Sequence, residues 1–424
     1  MPESPGVWER IRSSDAWRSV FRHPDLDTPR GRALQSFSNV FLHVYPVKVP
    51  PQVLKLRYSF RLGFISTVLF VILLVTGVYL MFFYTPSITA AYGDMQRLKT
   101  SIGFGQLIRN VHRWSAHLMV LAVALHLVRV FWDGGYKAPR QFNWVIGVGL
   151  LVVTLAFSFT GYLLPWDQLS YWAVTVGSDL LHYVPLAGRQ VRAFLLGGEE
   201  IGQATLLRFY VLHVAVLTAA FALLIVIHIW RVRKDGFAVR PEGAPSIPDV
   251  PVTTEGAAED ATRRLRLLGV VDRESVTAAA RVPDDLVFTW PHLFVRHQVV
   301  ALGTCALVLA LGVAFAAPLQ DYANPMLTPE PAKAPWYFVG LQELLAHLDP
   351  LIAGILVPVA LGLGLVLLPY VDRNPAREPG RRKLAIVLFT LIMTLAVVLT
   401  VIGALFRGPG WQLVAPWTHL YLEM

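Results

Sequence analysis

Seven stretches of this chain are apolar enough and long enough to cross a bilayer: residues 62–84, 107–131, 142–164, 207–230, 293–317, 350–371 and 383–406. A helix rises about 1.5 Å per residue, so about twenty residues span a hydrocarbon layer about 30 Å thick. Inside that layer each backbone N–H and C=O needs a partner within its own segment, and for runs of this length the helix provides it. The expected fold is therefore an all-α membrane protein with seven transmembrane helices. With 55% hydrophobic and 15% charged residues, the composition excludes an ordinary soluble domain. The formal charge of +9 does not signal nucleic acid, because the lysines and arginines cluster beside the apolar runs, as topology control and anionic lipid require. The basic lead-in, DGGYKAPR, RVRKDG and VDRNPAREPGRRK all fall on one side of a seven-span chain. That side is read as cytoplasmic, with the N-terminus there. One cysteine, Cys305, excludes a disulfide framework and a CxxCH haem-attachment motif. No apolar h-region follows the N-terminus, so no cleaved signal peptide is expected.

Two spans carry pairs of histidines. His112 and His126 lie fourteen residues apart in the second, and His213 and His228 fifteen apart in the fourth. Each pair falls within about 60° of a common helix face and roughly 21–22 Å apart along the axis. Imidazoles in hydrocarbon are costly unless their ring nitrogens are satisfied. Two adjacent helices, each with one histidine high and one low, suit two stacked haems with bis-histidine ligation. The alternative, polar residues bridging neighbouring helices, stays open at this point. Both spans run from outside to inside, so His112 pairs with His213 near the outer face and His126 with His228 near the inner face. Gly63 and Gly77 in the first span, and Gly147 and Gly161 in the third, repeat the fourteen-residue interval. Without a Cβ, each lets a macrocycle edge or another backbone approach closely. Arg109, Arg113 and Arg208 sit at the outer ends of the histidine spans, where they either anchor the interface or pair with haem propionates. His117 is about 140° from His112 around the helix and is read as a packing residue.

The chain divides into a lead-in at 1–60, a four-helix di-haem unit at 61–234, a cytoplasmic linker at 235–283 rich in Pro, Glu, Arg and Ala, and a three-helix C-terminal unit at 284–424.

The motifs RxxHRWxxH, GYLLPWDQ, RFYxLH and ANPMLTP…PWYF, together with the histidine pairs, resemble cytochrome b of the quinol-oxidising bc complexes. Residues 57–240 resemble its haem-bearing half and 284–406 its three-helix half. The fifteen-residue interval and the seven spans are similar to the cytochrome b6 type, here fused to a subunit IV-like half. The resemblance implies two b haems, a quinol/quinone substrate and a Rieske iron–sulfur partner. It also implies a c-type cytochrome acceptor, homodimer formation, proton translocation, and residence in a bacterial-type inner membrane. It implies that Pro165, Trp166 and Asp167 on one loop, and Pro335, Trp336 and Tyr337 on the other, flank an outer quinol site. The family commonly has PEWY, with a carboxylate as proton acceptor, whereas this chain has Ala334 in place of the Pro and Pro335 in place of the Glu. Glu343, two helical turns beyond Trp336, is the first candidate replacement, with Glu330 and Asp167 as others. The cysteine that tethers an extra haem in cytochrome b6 is absent around Tyr58–Arg61. A covalent third haem is thereby excluded and a non-covalent one left open, with Arg233 and Lys234 equally placed for a quinone or a lipid head group. A di-haem anchor linking a dehydrogenase to quinone would explain the histidines but not the loop motifs or the last three spans. A proton-relaying transporter would need ionisable groups lining a path, of which the other spans contain almost none.

Overall fold

The computed structural model describes residues 45–237, 286–329, 332–408 and 412–413, with Gly6 and Trp8. Most of the lead-in, nearly all of the linker at 235–283, and the candidate Glu330 therefore lie outside the described residues. Within them, seven helices are long and apolar enough to span a bilayer: α1 (Leu62–Met81), α3 (Gly105–Trp132), α4 (Gln141–Tyr162), α7 (Gln203–Asp235), α8 (Thr289–Ala314), α10 (Leu351–Val371) and α11 (Lys383–Leu405). These match the expected spans to within a few residues at nearly every end; α7 begins four residues earlier and ends five later. Four shorter helices lie between them: α2 (Ala91–Thr100), α5 (Gln168–Asp179), α6 (Gly188–Leu196) and α9 (Trp336–His347).

The described residues form two compact units, one drawn from 1–58 and 232–299, the other from 59–231 and 300–424. In the first, strand β1 (Lys48–Val49) pairs antiparallel with β2 (Val287–Phe288). Beneath them Val49, Val53 and Leu293 are buried together. The Tyr45 hydroxyl meets Nδ1 of His297 at 2.8 Å.

In the second unit α1, α3, α4 and α7 surround a core of Leu69, Val111, Met119, Ala122, Ile146, Leu150 and Phe221, joined by Val308 of α8. Phe221 falls between the two histidine levels of α7 and packs against Phe70 with ring centres 4.4 Å apart and planes tilted by 32°. The outward faces of the spans stay apolar and exposed, as at Val75, Val226, Leu302 and Leu391. Hydrocarbon, not protein, is the environment such faces require.

The loop expected at 85–104 contains a helix, and the connection at 165–205 contains two. Asp94 explains the first: its carboxylate accepts the Thr85 N–H at 2.7 Å and pairs with Arg97 one turn on. Asp167 explains the second. It caps α5 through the Ser170 N–H at 2.9 Å.

On the side of the basic loops a buried polar cluster ties 133–140 to 372–382. Lys137 bridges to Asp372 at 2.6 Å and donates to the carbonyls of Asp372 and Asn374. Tyr136 donates to the same carboxylate. Arg382, 2% exposed, donates to the Tyr136 hydroxyl and to the carbonyls of Phe131 and Trp132. Burial works to raise the Asp372 pKa, but the hydrogen bonds from Lys137 and Tyr136 outweigh it and hold the carboxyl below its ordinary value.

Candidate functional site: two facing histidine pairs and an outer cavity

His112 faces His213, and His126 faces His228, across the bundle; in both pairs the ring centroids are 6.4 Å apart. Two imidazoles holding one metal from opposite sides, each with N–metal about 2.0 Å and its ring centre about 1.1 Å beyond the nitrogen, put their centroids about 6.2 Å apart. The spacing therefore fits axial ligation at both levels.

The four glycines face the four histidines one to one. A Cβ built on Gly77 would lie 3.4 Å from Cε1 of His112, and on Gly161 2.6 Å from Cε1 of His213. On Gly63 it would lie 3.1 Å from Cε1 of His126, and on Gly147 3.5 Å from Cε1 of His228. What the missing side chains admit is the imidazole ring itself, where sequence reasoning expected a macrocycle edge or a backbone.

The fifteen-residue interval in α7 has a local cause. Leu212–Val216 form a π-turn, which contains one residue more per turn than α-helix needs. Discounting that residue leaves an effective interval of fourteen, so His213 and His228 take the offset of about 40° that His112 and His126 have in α3. Thr218 donates its hydroxyl to the His213 carbonyl at 3.0 Å, bracing the widened turn.

Threonines set the tautomer at the outer level. Thr76 donates its hydroxyl proton to the Ile72 carbonyl at 2.7 Å, and Thr160 donates to that of Ala156 at 2.8 Å. With that proton committed, each oxygen accepts from an imidazole Nδ1–H, of His112 at 2.9 Å and of His213 at 3.0 Å. Both Nε2 lone pairs are thereby left for a metal. At the inner level Nδ1 of His126 and Nδ1 of His228 are buried without a hydrogen bond of good geometry. Sequence reasoning passed over Thr76 and Thr160. The legible signal was that each directly precedes an outer glycine, whereas Gly63 and Gly147 follow Leu62 and Ile146.

A cavity of ≈ 280 Å³ opens from the outer pair toward the loop motifs. His112 and His213 line one end, and Arg113, Pro165, Asp167 and Tyr337 are among its other walls. The motifs converge because they bind one another. Gln168 donates its N–H to the Asp321 carbonyl at 2.9 Å, accepts from the Asn324 N–H at 2.9 Å, and donates to the Leu327 carbonyl at 3.1 Å. Trp166 is buried in a cluster with Ala91, Leu206 and Ala323. Pro335 caps α9 at its N-terminus. Burial pushes the Tyr337 hydroxyl up to about 12, with Arg113 and a hydrogen bond to Ser158 opposing the shift.

Several expected residues are placed differently. Arg109 donates to the carbonyls of Ala317 and Pro318 at 2.8 and 2.7 Å, so its guanidinium ties α3 to the chain beyond α8. Arg208 donates to the Phe194 carbonyl and lies over the Phe194 ring, on the outer helix α6 and away from the cavity. Of the three arginines, Arg113 is the cavity cation with no such engagement. Asp167 accepts from the Ser170 N–H, the Ser170 hydroxyl at 2.6 Å and the Gln320 N–H at 3.0 Å, a cap rather than a free base. Glu343 is 3% exposed, neither solvated nor at the cavity wall. It meets His347 at 3.1 Å and Lys333 at 4.0 Å, and it packs by Gly403 of α11. It does share a face with Trp336, but Tyr337 is the residue of that motif that reaches the cavity. His117, read from the helical wheel as packing, stands at the cavity wall and accepts a hydrogen bond from Trp336 at 3.0 Å.

Fold and site together define an all-α, multi-pass membrane protein with histidine pairs facing one another between two helices at two depths. The family profile described as cytochrome b/b6/petB matches residues 47–236, and that described as cytochrome b (C-terminal)/b6/petD matches residues 322–422. Cytochrome b6 of Prochlorococcus marinus (strain MIT 9515) is 45% identical over 190 residues, covering 45% of this chain and 86% of the relative. Cytochrome b6 of Synechocystis sp. (strain ATCC 27184 / PCC 6803 / Kazusa) is 44% identical over 190 residues, covering 45% and 84%. A solved chain of a "Hyperthermophilic respiratory Complex III" superposes with a TM-score of 0.69 at 24% identity, covering 90% of this chain and 91% of that one, a likeness of fold. The chain belongs to the cytochrome b family, as a cytochrome b6-type half fused to a subunit IV-like half. It is thus a haem b-binding, electron-transfer subunit of a bc-type complex.

Proposed function

We propose that this chain is the cytochrome b core of a quinol–cytochrome c oxidoreductase that oxidises quinol at its outer side. His112 and His213 hold one b haem, and His126 and His228 the other. When bound, the haems supply reversible one-electron chemistry at two depths of the bilayer. Arg113 is the residue placed to pair with a propionate of the outer group. Gly63, Gly77, Gly147 and Gly161 let the ligand rings seat against the neighbouring helices. Quinol enters the outer cavity between Pro165 and Tyr337, and Asp167 holds the first loop against the second. There its two electrons part: one goes outward to a Rieske protein and a c-type cytochrome, the other across the bilayer toward a quinone on the inner side. Protons are released outside and taken up inside. The N-terminus lies on the inner, cytoplasmic side, and the complex works as a homodimer. The observation that supports this reading is that the outer histidine pair and both loop motifs open onto one shared cavity. A di-haem anchor has no use for that convergence.

The test is a pyridine haemochrome count on the purified chain, joined to decylubiquinol–cytochrome c turnover by the intact complex. Two b haems per chain and inhibitor-sensitive turnover are expected. A third haem would place a non-covalent one at the inner side. Absence of b haem would refute the proposal.

A further inference from the structure

One polar side chain at the outer cavity has no part in holding a haem or in bracing the loops. His117 stands on α3 at the cavity wall. The Trp336 indole N–H donates to its Nδ1 at 3.0 Å. An indole nitrogen only donates, so Nδ1 supplies the lone pair and the proton of the neutral ring sits on Nε2. Trp114 and Tyr337 hold the ring from two further sides, each with centroids 5.6 Å away. No described residue hydrogen-bonds Nε2. Of the neighbours that could compete for a ligand oxygen, Arg109 is held on two carbonyls, Asp167 by three donors, and Ser158 on the Thr154 carbonyl at 3.0 Å, while Arg113 and Tyr337 face the cavity beside His117.

We infer that His117 is a quinone-binding residue whose Nε2–H donates to an oxygen of the quinone or quinol in the outer cavity. This rests on the functional reading above and adds a contact to it. Trp336 is a positioning residue: it selects the tautomer in which His117 donates. In that tautomer the ring orients the head group and does not take its proton. The PWYF motif thereby works on the cavity from two successive residues, Tyr337 directly and Trp336 through His117.

The test uses the purified intact complex with decylubiquinol as probe, comparing wild type, His117→Leu, His117→Gln and Trp336→Phe, each with its haem spectrum recorded. Loss of one neutral hydrogen bond weakens binding by about three- to tenfold. His117→Leu is expected to raise KM by that factor, more than it lowers kcat, with both haems retained. His117→Gln, whose amide still donates, recovers part of the loss, and Trp336→Phe raises KM by a smaller factor than His117→Leu. KM values of His117→Leu and His117→Gln within twofold of wild type would overturn the assignment and return His117 to packing. If the leucine variant loses haem, the comparison of wild type with His117→Gln and Trp336→Phe decides alone. A wild-type complex that oxidises neither decylubiquinol nor a menaquinol analogue overturns the functional reading and this contact with it, an outcome distinct from normal turnover insensitive to His117.

Discussion

Replacing Gly161 by alanine puts a methyl group 2.6 Å from Cε1 of His213 and 3.2 Å from both ring nitrogens. Carbon atoms in comfortable contact sit about 3.5–4.0 Å apart, so the ring must retreat by about 1 Å. It has little room to do so. Thr160, the preceding residue on the same helix, holds Nδ1 at 3.0 Å, and an N–metal bond of about 2.0 Å does not stretch to absorb such a shift. Overpacking of this kind costs about 1–3 kcal/mol, or roughly five- to 150-fold in occupancy of the outer haem. Gly147 provides the control, since its Cβ would lie 3.5 Å from Cε1 of His228, an ordinary contact. Redox-difference spectra and haem counts on the purified variants are expected to show Gly161→Ala depleted in one b haem and Gly147→Ala near the full complement. Gly63→Ala, at 3.1 Å, is expected to fall between them. Equal occupancy in Gly161→Ala and Gly147→Ala would refute the argument that the imidazole is what each glycine accommodates.

Other outcomes follow from the same geometry. Thr160→Val removes an acceptor from the His213 Nδ1–H, making that ligand less basic. The outer haem potential is expected to rise by about 20–60 mV in a redox titration while the inner one stays within error. Asp167→Ala removes the α5 cap and the bond to Gln320, and a thermal melt in detergent is expected to show a loss of about 1–2 kcal/mol, most of it restored in Asp167→Asn. The Asp372 carboxyl, held below its ordinary value, contributes stability that is complete above the unfolded-state value and is lost as pH falls through the lower folded-state value. The melting temperature of wild type is therefore expected to drop below about pH 4, and that of Asp372→Asn to be lower at pH 7 with a flatter acid limb.

Much of this protein is legible in one dimension. Bilayer thickness sets the length of every apolar run, which is why seven spans and their approximate ends could be read directly. Two spans with matched histidine intervals, and two others with matched glycines, fix a pair of levels, because periodicity along a helix is also position in space. Their pairing follows once the direction of each span is known. Other features depend on contacts between segments far apart in sequence, which periodicity does not encode. Whether Arg109 faces a cofactor or the Ala317 and Pro318 carbonyls, some two hundred residues on, is decided by how α8 ends beside α3. Glu343 has the right helical phase relative to Trp336, yet that phase points it at α11 and away from the cavity. His117 looked inert on the wheel of its own helix because the group that gives it a role, the Trp336 indole, arrives from α9. The sequence by itself determined the spans and the two histidine levels, since these are properties of single helices in hydrocarbon. Only the tertiary structure decided which polar side chains remain free to meet a substrate, because each forms its hydrogen bonds with whatever partner the packing brings within 3 Å.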